Sequence, residues 1–419
     1  MIKHIINEIR SLLSFKGLTI ILYGLPTALI IRIISKILLI RIMGVNAERI
    51  GELIINPAIY LYQKENKINS HGTRSWDIFF MKDKPINKQI FKMLKREINI
   101  YPKFFLEPVF EAQKKLNIYF KDLNKYLPIE QRKFKFHYID KLPESKKNIK
   151  FLKKEIIRGE RELLNKFGIH KKDKFICLLI RDQAFLKKIY PNLNFDHHEY
   201  RNIDPLNFID AAKVLSKKGY YVFRMGKFQS KKFETSDPKI IDYANSDYRN
   251  DFLDIYLSAH CNFFLTTMSG LDNLLPIFNI PTIVIPLNLA IARQYKNYLI
   301  STKTFLDPNN KKVSLKELFE KNLIFRQKKE DFDNANIRPI DPSPDQLTKL
   351  VIEMDEHIIN SKPYTKEEND LNNEFWRIYS HYYNKDKNAN IEIKFNGQLK
   401  VSSRFDINFL KDNHNWFLK

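Results

Sequence analysis

The chain has 419 residues, of which 44% are hydrophobic, so it is long enough for two domains with a sizeable core. Its formal net charge of +23 indicates an anionic partner, but the lysines are spread along the whole chain, without an arginine-rich tract or zinc-knuckle spacing. This pattern counts against a nucleic-acid-binding protein. Two cysteines, Cys177 and Cys261, are too few for a disulfide framework or a metal cluster, and their apolar neighbours predict core positions in a reducing compartment.

The first elements include an apolar run from Leu18 to Ile31. It is shorter than the ~20 residues that a spanning helix needs, and Gly24 and Pro26 interrupt it. Three cations follow closely, namely Arg32, Lys36 and Arg41. We therefore expect residues 1–35 to form an amphipathic segment on the inner face of the cell membrane. The alternative is a buried helix that precedes the first core strand.

Further along, "KILLIRI" (36–42) and "DIFFM" (77–81) read as strands, and residues 87–96 read as a helix. From residue 174 to residue 286, short apolar runs alternate with helical segments. The predicted strands are "KFICLLIRD", "YYVFRMG", "KIIDYA", "NFFLTT" and "PTIVIP"; the predicted helices are "DPLNFIDAAKVLSKKG", "DFLDIYLSAHC" and "GLDNLLPIFN". This alternation predicts an α/β fold with a doubly wound parallel sheet. A capped helix is predicted from Ser343.

Ligands of doubly wound sheets bind outside the carboxyl ends of the strands. The residues at these ends in the predicted sheet are Arg181, Asp182, Arg224, Gly226, Asp242, Tyr243, Ser246, Thr267, Ser269 and Gly270. Arginines, hydroxyls and a glycine before a helix suit a phosphate or a diphosphate. Each residue also has a structural reading, since the arginines can pair with the carboxylates, Ser269 can cap a helix and Gly270 can mark a turn.

Other kinds of site have little support in the sequence. His197 and His198 are adjacent and have no further ligands at metal-binding spacing. Neither a Walker motif nor a GxGxxG motif is present, which counts against a P-loop enzyme and a dinucleotide-dependent dehydrogenase.

The runs "ICLLIRD", "YRNID", "GYYVFRMG", "IIDYANSDYRNDFLDIYLSAHCNFFLTTMSGL" and "NIPTIVI" resemble a family of bacterial glycosyltransferases of surface-polysaccharide biosynthesis with a GT-B-like architecture. The resemblance extends more weakly to "ERIGELIINPAIYLY", "EFWRIY" and "SSRFDINFLKDNHNWFL". The chain departs from the family pattern at Leu179 and Glu52, where histidines are expected.

The resemblance implies two Rossmann-like lobes. Residues 36–170 are the expected acceptor lobe and residues 171–350 the nucleotide-sugar lobe, while residues 351–419 are expected to form a helical tail that packs back on the N-terminal lobe. The implied activity is sugar transfer from a nucleotide-sugar donor to a glycan or lipid-linked acceptor. No cofactor and no bound metal are implied, and the location is cytoplasmic and peripheral, at an anionic membrane surface. The alternative is a non-catalytic nucleotide-sugar- or glycan-binding protein of a membrane-associated complex.

The resemblance also assigns roles to individual residues. Arg181 and Arg224 neutralise the donor diphosphate, and Arg181 stabilises the leaving group. The remaining donor-binding residues are Gly226, Asp242, Tyr243, Ser246, Thr267, Ser269, Gly270 and Leu271. A hydroxyl acceptor needs a base, for which Glu52 is the first candidate and Asp182 and His198 are alternatives.

Overall fold

The computed structural model describes residues 14–70, 72, 74–129, 138–139, 141–291, 297–385, 394–395, 398–399 and 403–418. The first 13 residues of the predicted N-terminal segment therefore lie outside the described part. The chain divides into two compact units, Met1–Phe151 and Leu152–Lys419.

The first unit contains two parallel strands and a set of helices. The strands are β1, Leu39–Val45, and β2, Ser75–Met81. The α-helices are Phe15–Thr19, Leu25–Ile34, Ile50–Glu65, Lys88–Glu97 and Lys103–Phe120, and the π-helix Ile20–Gly24 joins the first two. Short 3-10 helices span Leu123–Tyr126 and Leu142–Glu144.

Strands β1 and β2 are the predicted strands, each shifted or extended by a few residues. They pair in parallel from Leu39 opposite Ser75 to Val45 opposite Met81. Buried Arg41 and Asp77 form an ion pair across the two strands, with 2.5 Å between Arg41 Nε and Asp77 Oδ1. In the described residues this sheet has only two strands, fewer than the Rossmann-like lobe that the resemblance implied.

The N-terminal helices pack on the helix Lys103–Phe120. A Cβ on Gly24 would lie 2.4 Å from the carbonyl oxygen of Pro108, so only glycine allows this close approach. The helix Lys103–Phe120 packs in turn against β1 and β2, with Val109 and Phe110 in the shared core.

The second unit is built on a seven-stranded sheet with the order β13-β8-β7-β6-β3-β4-β5, in which every pairing is parallel. Its strands are β3, Phe175–Leu179; β4, Tyr221–Arg224; β5, Ile240–Ile241; β6, Phe264–Thr266; β7, Thr282–Val284; β8, Tyr298–Ile300; and β13, Arg404–Phe405. The predicted α/β fold with a parallel sheet is confirmed. Smaller antiparallel pairs join β9, Thr304–Leu306, to β10, Arg338–Ile340, and β11, Lys394–Phe395, to β12, Gln398–Leu399.

Helices cover both faces of this sheet. The α-helices are Lys153–Phe167, Ala184–Ile189, Ile209–Lys217, Asp251–His260, Leu315–Glu320, Lys329–Asn334, Pro344–Glu353, Lys366–Lys385, Ile407–Asp412 and His414–Leu418. Alternate residues of β3 serve opposite faces: Ile176 packs in one core with Leu215 and Leu347, whereas Cys177 contacts the carbonyl of Leu257. All five residues of β3 are therefore buried, which explains its unbroken apolar sequence.

Two predictions need correction. The segment "GLDNLLPIFN" forms only a 3-10 helix, Gly270–Leu274, followed by turns that end with Asn279 in the left-handed region, φ 53°. The tail was expected on the N-terminal lobe, but residues 403–418 lie in the second unit, where β13 adds a strand beside β8. Phe405 of this strand packs on Phe375, with 4.2 Å between ring centroids, because the aromatic tail residues complete an apolar core of the unit.

Candidate functional site

The centre of the carboxyl edge lies where β3 and β6 end side by side. The amide of Thr267 donates to the carbonyl of Leu179 at 3.2 Å. The amide of Arg181 donates in return to Thr267 Oγ1 at 2.8 Å. These reciprocal bonds extend the strand pairing by one step and fix where the Arg181 side chain leaves the sheet.

The turn after β6 is held by its own polar side chains. Met268 adopts φ 69°, a left-handed conformation that costs a non-glycine residue ~1–2 kcal/mol. Its amide donates to Thr266 Oγ1 at 3.0 Å. Asp272, only 4% exposed, accepts from the amide of Ser269 at 3.1 Å and from the Thr266 hydroxyl at 3.3 Å. The hydroxyls of "TTMSG" therefore first serve to shape this turn.

Arg181 and Arg201 form a pair of cations at this edge. Burial, and then the positive charge of Arg201, lower the pKa of Arg181 to about 10, against the opposing effects of Asp272 and Asp182. Burial also lowers the pKa of Arg201, opposed by Asp272. In the described part of the chain, Arg181 Nε is buried without a hydrogen-bond partner. Arg201 donates a long hydrogen bond, 3.5 Å, to the carbonyl of Met268.

This arrangement suits an anion. The positive charge of Arg201 acts on Arg181, and partial burial of both side chains removes part of the water that would screen this repulsion. Asp272 supplies one opposing charge, but its carboxylate is engaged with the β6 turn. An oxyanion bound between the arginines would satisfy the free N–H groups in the bidentate geometry that phosphates allow.

Arg224 lies at the end of β4, where its side chain is fully buried and both terminal nitrogens are hydrogen-bonded, while Nε has no partner among the described residues. It donates to the carbonyl of Lys231, to Gln229 Oε1 at 3.1 Å and to Asp242 Oδ1 at 3.5 Å. Asp242 also accepts from the amide of Phe233 at 2.9 Å. Arg224 and Asp242, both predicted to bind the donor, therefore hold the loop after β4. This is the pairing of an arginine with a carboxylate that the sequence left open as an alternative.

Gly226 begins that loop with φ 141°, a backbone conformation that side chains rarely adopt. A Cβ at this position would lie 2.3 Å from Gln229 Nε2. The glycine is therefore required by the loop geometry, whether or not a ligand binds beside it.

Tyr243 is fully buried, and its hydroxyl donates to Asp254 Oδ1 at 2.9 Å. Burial, followed by the negative charge of Asp254, raises the pKa of Tyr243. Ser246 donates to the carbonyl of Tyr243 at 3.0 Å. The Tyr243 hydroxyl therefore serves the packing of the helix Asp251–His260, and the Ser246 hydroxyl serves the turn that carries Tyr243.

Asp182 is a predicted catalytic residue whose two oxygens are both engaged. Oδ1 accepts from the amide of Ala184 at 2.9 Å, while Oδ2 accepts from the amide and hydroxyl of Ser230 at 2.7 and 2.9 Å. The carboxylate joins the end of β3 to the loop after β4. These bonds leave it poorly placed to accept a proton.

Ser269, Gly270 and Leu271 lie in the β6 turn beside the arginine pair, as the strand order predicted. Leu271 is buried, at 8% exposure. Because the helix that follows is a single 3-10 turn of five residues, its dipole is weaker than the sequence suggested. The backbone of Ser269 remains close to the arginines through their shared neighbour, Asp272.

Glu52 lies in the first unit, in the first turn of the helix Ile50–Glu65 that follows β1. The side chain is half-buried and accepts a hydrogen bond from Asn46 Nδ2. His197 and His198 lie in the second unit with their ring centroids 4.0 Å apart, on the 3-10 helix Asp196–Arg201. This short helix also carries Arg201.

Arg201 and Lys303 were not predicted as site residues. Arg201 lies within "YRNID", and the apolar run "YLI" is followed by "STK", which repeats the pattern of a strand with a polar end. Lys303 is buried at this end of β8 and donates to Asp341 Oδ1 at 2.6 Å and to the carbonyl of Asn202 at 2.7 Å. Burial lowers the pKa of Lys303. It anchors the segment that presents Arg201.

Among the described residues, no group of three or more His, Cys, Asp or Glu side chains is placed to hold a metal ion. Cys177 and Cys261 are free thiols and are buried, as predicted. The chemistry of this edge therefore rests on arginines, hydroxyls and backbone amides.

No protein-family model matches this chain, and no curated protein matches it. Several solved structures resemble it in part, and those described here are glycosyltransferases. One is a glycosyl transferase of family 9 from Veillonella parvula DSM 2008, with 11% identity and a TM-score of 0.41 over 77% of this chain and 97% of that one.

Another is the ADP-heptose lipopolysaccharide heptosyltransferase II of E. coli, with 11% identity and a TM-score of 0.33 over 58% of this chain and 84% of that one. A third is the iron-containing dodecameric glycosyltransferase TibC of enterotoxigenic E. coli H10407, with 12% identity and a TM-score of 0.33 over 61% of this chain and 62% of that one. TibC has also been solved in complex with ADP-D-β-D-heptose. At such low similarity the function must be argued from the site itself.

Proposed function

We propose that this chain is a glycosyltransferase that moves a sugar from a nucleotide-sugar donor to a surface-glycan or lipid-linked acceptor. The observation that carries the proposal is the pair of half-buried cations, Arg181 and Arg201, at the carboxyl edge of the parallel sheet, with Arg181 Nε lacking a partner in the described residues and Arg201 bonded weakly to the β6 turn. Ligands of such sheets bind at this edge, and a diphosphate provides the charge and the acceptor oxygens that the two guanidinium groups lack.

In the proposed reaction, the bond between the anomeric carbon and the diphosphate oxygen breaks, and its electron pair leaves with the diphosphate. The acceptor hydroxyl oxygen forms the new bond to that carbon. Arg181 and Arg201 stabilise the charge that develops on the leaving group. Our candidate to receive the acceptor proton is Glu52, a half-buried carboxylate in the first turn of its helix.

We further propose that the reaction is metal-independent, because the two arginines supply the positive charge that a divalent cation provides in other transferases. No organic cofactor takes part in the proposed step. A cytoplasmic location fits the two free buried thiols, Cys177 and Cys261. The peripheral membrane location that the sequence predicts concerns the N-terminal segment, residues 1–35, and not this site.

A second candidate is a non-catalytic protein that binds a nucleotide sugar or a glycan within a membrane-associated complex. The specific observation in its favour is the engagement of both Asp182 oxygens in structural hydrogen bonds. Leu179 and Glu52 also stand where the resembled family has histidines. The two candidates share the donor site and differ only in turnover.

The first experiment measures binding of a panel of nucleotide sugars to the full chain by thermal unfolding. At a concentration of about 100 times Kd, the ligand adds about 2.7 kcal/mol, which raises Tm by about 5–10 °C for a unit of this size. Release of the nucleoside diphosphate from the bound donor, in the presence of a glycan or lipid-linked acceptor, then separates enzyme from binder.

The Arg181→Ala variant should lose the Tm shift, while Arg338→Ala, a change of the same charge at an exposed position of β10, should keep it. A donor that shifts Tm without diphosphate release would support the binding protein. An Arg181→Ala variant that still transfers sugar at the wild-type rate would reject the assignment of this site.

A further inference from the structure

The N-terminal helices present an outward face that is wholly apolar. From residue 18 to residue 33, every exposed side chain is apolar, namely Leu18, Ile21, Leu22, Tyr23, Pro26, Leu29, Ile30 and Ile33. Leu22 is 74% exposed and Ile33 is 77% exposed. A soluble helix normally places polar residues on the side that faces water, so this face requires a covering.

The inner face of the same helices is already occupied by the protein. A buried stripe follows helical spacing and packs toward the helix Lys103–Phe120; it consists of Ile20, Gly24, Ala28, Ile31 and Ser35. The contact between Gly24 and Pro108 locks the two helices at close range. The apolar outer side therefore cannot turn inward without breaking this packing.

The apolar face continues around one end of the neighbouring helix. Ile118, Tyr119 and Phe120 are 73%, 80% and 55% exposed. The guanidinium of Arg32 lies 4.6 Å from the ring centroid of Phe120, which places this exposed group beside the end of the N-terminal helices. Ile37, just beyond that end, is 82% exposed. We call this combined surface the apolar helix face.

More cations than acids border the apolar helix face. Arg32 donates to Asp122 at 2.6 Å, but in the described residues its Nε and Nη2 are buried without a partner. Lys36 and Lys121 are exposed beside it. The sequence contains no Asp or Glu from residue 14 to residue 47 or from residue 112 to residue 121. The border is therefore positively charged.

We propose that the apolar helix face docks on an anionic lipid bilayer. Its side chains enter the boundary between headgroups and acyl chains, while the exposed Lys36 and Lys121 meet the lipid phosphates. The positive border selects this occupant over a second copy of the chain, because two such borders facing each other would repel. This inference does not depend on what the second unit binds or transfers.

The helices lie along the membrane rather than across it. The stretch Gly17–Ile34 is long and apolar enough to span, by length and composition alone, with a mean hydropathy of 1.9. A spanning helix would have to leave the helix Lys103–Phe120 and would carry Arg32 away from Asp122. An in-plane helix keeps both contacts and still buries its outer side.

The test is co-sedimentation of the full chain with phosphatidylcholine vesicles, with and without phosphatidylglycerol. The wild type should bind the anionic vesicles, and Leu22→Asp with Ile33→Asp should weaken binding at least about tenfold. Lys36→Ala and Lys121→Ala should each weaken binding about fivefold. The matched control is Leu193→Asp with Leu206→Asp, exposed apolar positions of the second unit that should leave binding unchanged.

Three outcomes would overturn the proposal. The first is a wild type found only in the supernatant with anionic vesicles, and the second is a Leu22→Asp and Ile33→Asp variant that binds as the wild type does. The third is a dimer, seen by light scattering, that this variant abolishes without any vesicle binding, which would assign the surface to a second copy. Resistance of the membrane-bound chain to alkaline extraction would reject the in-plane geometry in favour of a span.

Discussion

The amide of Arg181 donates a 2.8 Å hydrogen bond to the hydroxyl oxygen of Thr267, joining the ends of two neighbouring strands. Thr267 is 2% exposed, so this bond is shielded from water. The position of the Arg181 guanidinium therefore depends on a threonine 86 residues further along the chain.

Thr267→Val should destabilise the second unit by about 1–3 kcal/mol, because it keeps the shape of the side chain but leaves the Arg181 amide without an acceptor. Donor affinity should fall as well, because the arginine loses its anchor. Thr267→Ser, which retains the hydroxyl, is the control and should recover most of the lost stability in chemical denaturation. Equal stability of the valine and serine variants would remove the structural role assigned to this bond.

Gly159→Ala should also destabilise the second unit, although alanine is the better helix former by ~1 kcal/mol. A Cβ on Gly159 would lie 2.1 Å from the ring of Tyr256 on the helix Asp251–His260. Overpacking of this kind costs about 1–3 kcal/mol. In a Tyr256→Ala background the same change should be neutral or stabilising, and its failure to become so would show that the ring is not the obstacle.

Glu353 should make the stability of the second unit depend on pH. It is 3% exposed and accepts hydrogen bonds from the Tyr364 hydroxyl at 3.0 Å and the Ile407 amide at 3.1 Å. Burial, and then the charge of Asp406, raise the pKa of Glu353 from 4.5 to about 8, while Arg404 opposes the rise. Between these two pKa values the folded state holds a proton that the unfolded state has lost.

The contribution of this carboxyl is therefore fully present below pH 4.5 and is lost as the pH rises through about 8. The free energy of unfolding should fall by at most about 1.4 kcal/mol per pH unit in this window. Glu353→Gln should flatten that slope, whereas Glu320→Gln, at an exposed position, should not. A slope that stays the same in Glu353→Gln would contradict the raised pKa.

If Glu52 is the base, Glu52→Gln should lower kcat about 10²–10⁴-fold, the range for loss of general base catalysis. The amide can still accept the hydrogen bond from Asn46, so the fold and donor binding should persist. Glu48→Gln, an exposed carboxylate in the preceding loop, is the matched control. A Glu52→Gln enzyme with the wild-type kcat would place the base elsewhere.

The sequence predicted the sheet of the second unit well because buried parallel strands are continuous apolar runs. Strands β3, β4, β6 and β7 all fall inside such runs. The prediction of an α-helix from Gly270 was wrong, because the apolar spacing of this segment also fits a 3-10 turn and further turns that end at the left-handed residue Asn279. Local periodicity does not distinguish the two.

The site was harder to predict than the sheet. Strand order shows which residues lie at one edge of the sheet, but it does not show which of them are hydrogen-bonded to the loops at that edge. Arg181 and Arg224 end neighbouring strands, yet only Arg224 is engaged by the loop after β4. Arg201 lies on a 3-10 helix that has no periodic apolar residues, so the hydrophobic pattern of the sequence does not predict its position. That Arg201 acts together with Arg181 at this edge is visible only in the folded structure.

The central claim is that Arg181 and Arg201 bind the diphosphate of a nucleotide sugar. Calorimetric titration of the full chain should compare a nucleoside diphosphate with the corresponding nucleoside. The wild type and Arg338→Ala should bind the diphosphate more tightly than the nucleoside. Arg181→Ala with Arg201→Ala should lose about 10²–10⁴-fold in diphosphate affinity, since hydrogen bonds to charged groups are worth about 1.5–3 kcal/mol for each arginine. Nucleoside affinity should stay the same. Unchanged diphosphate affinity in the double variant, with its fold intact, would contradict the account.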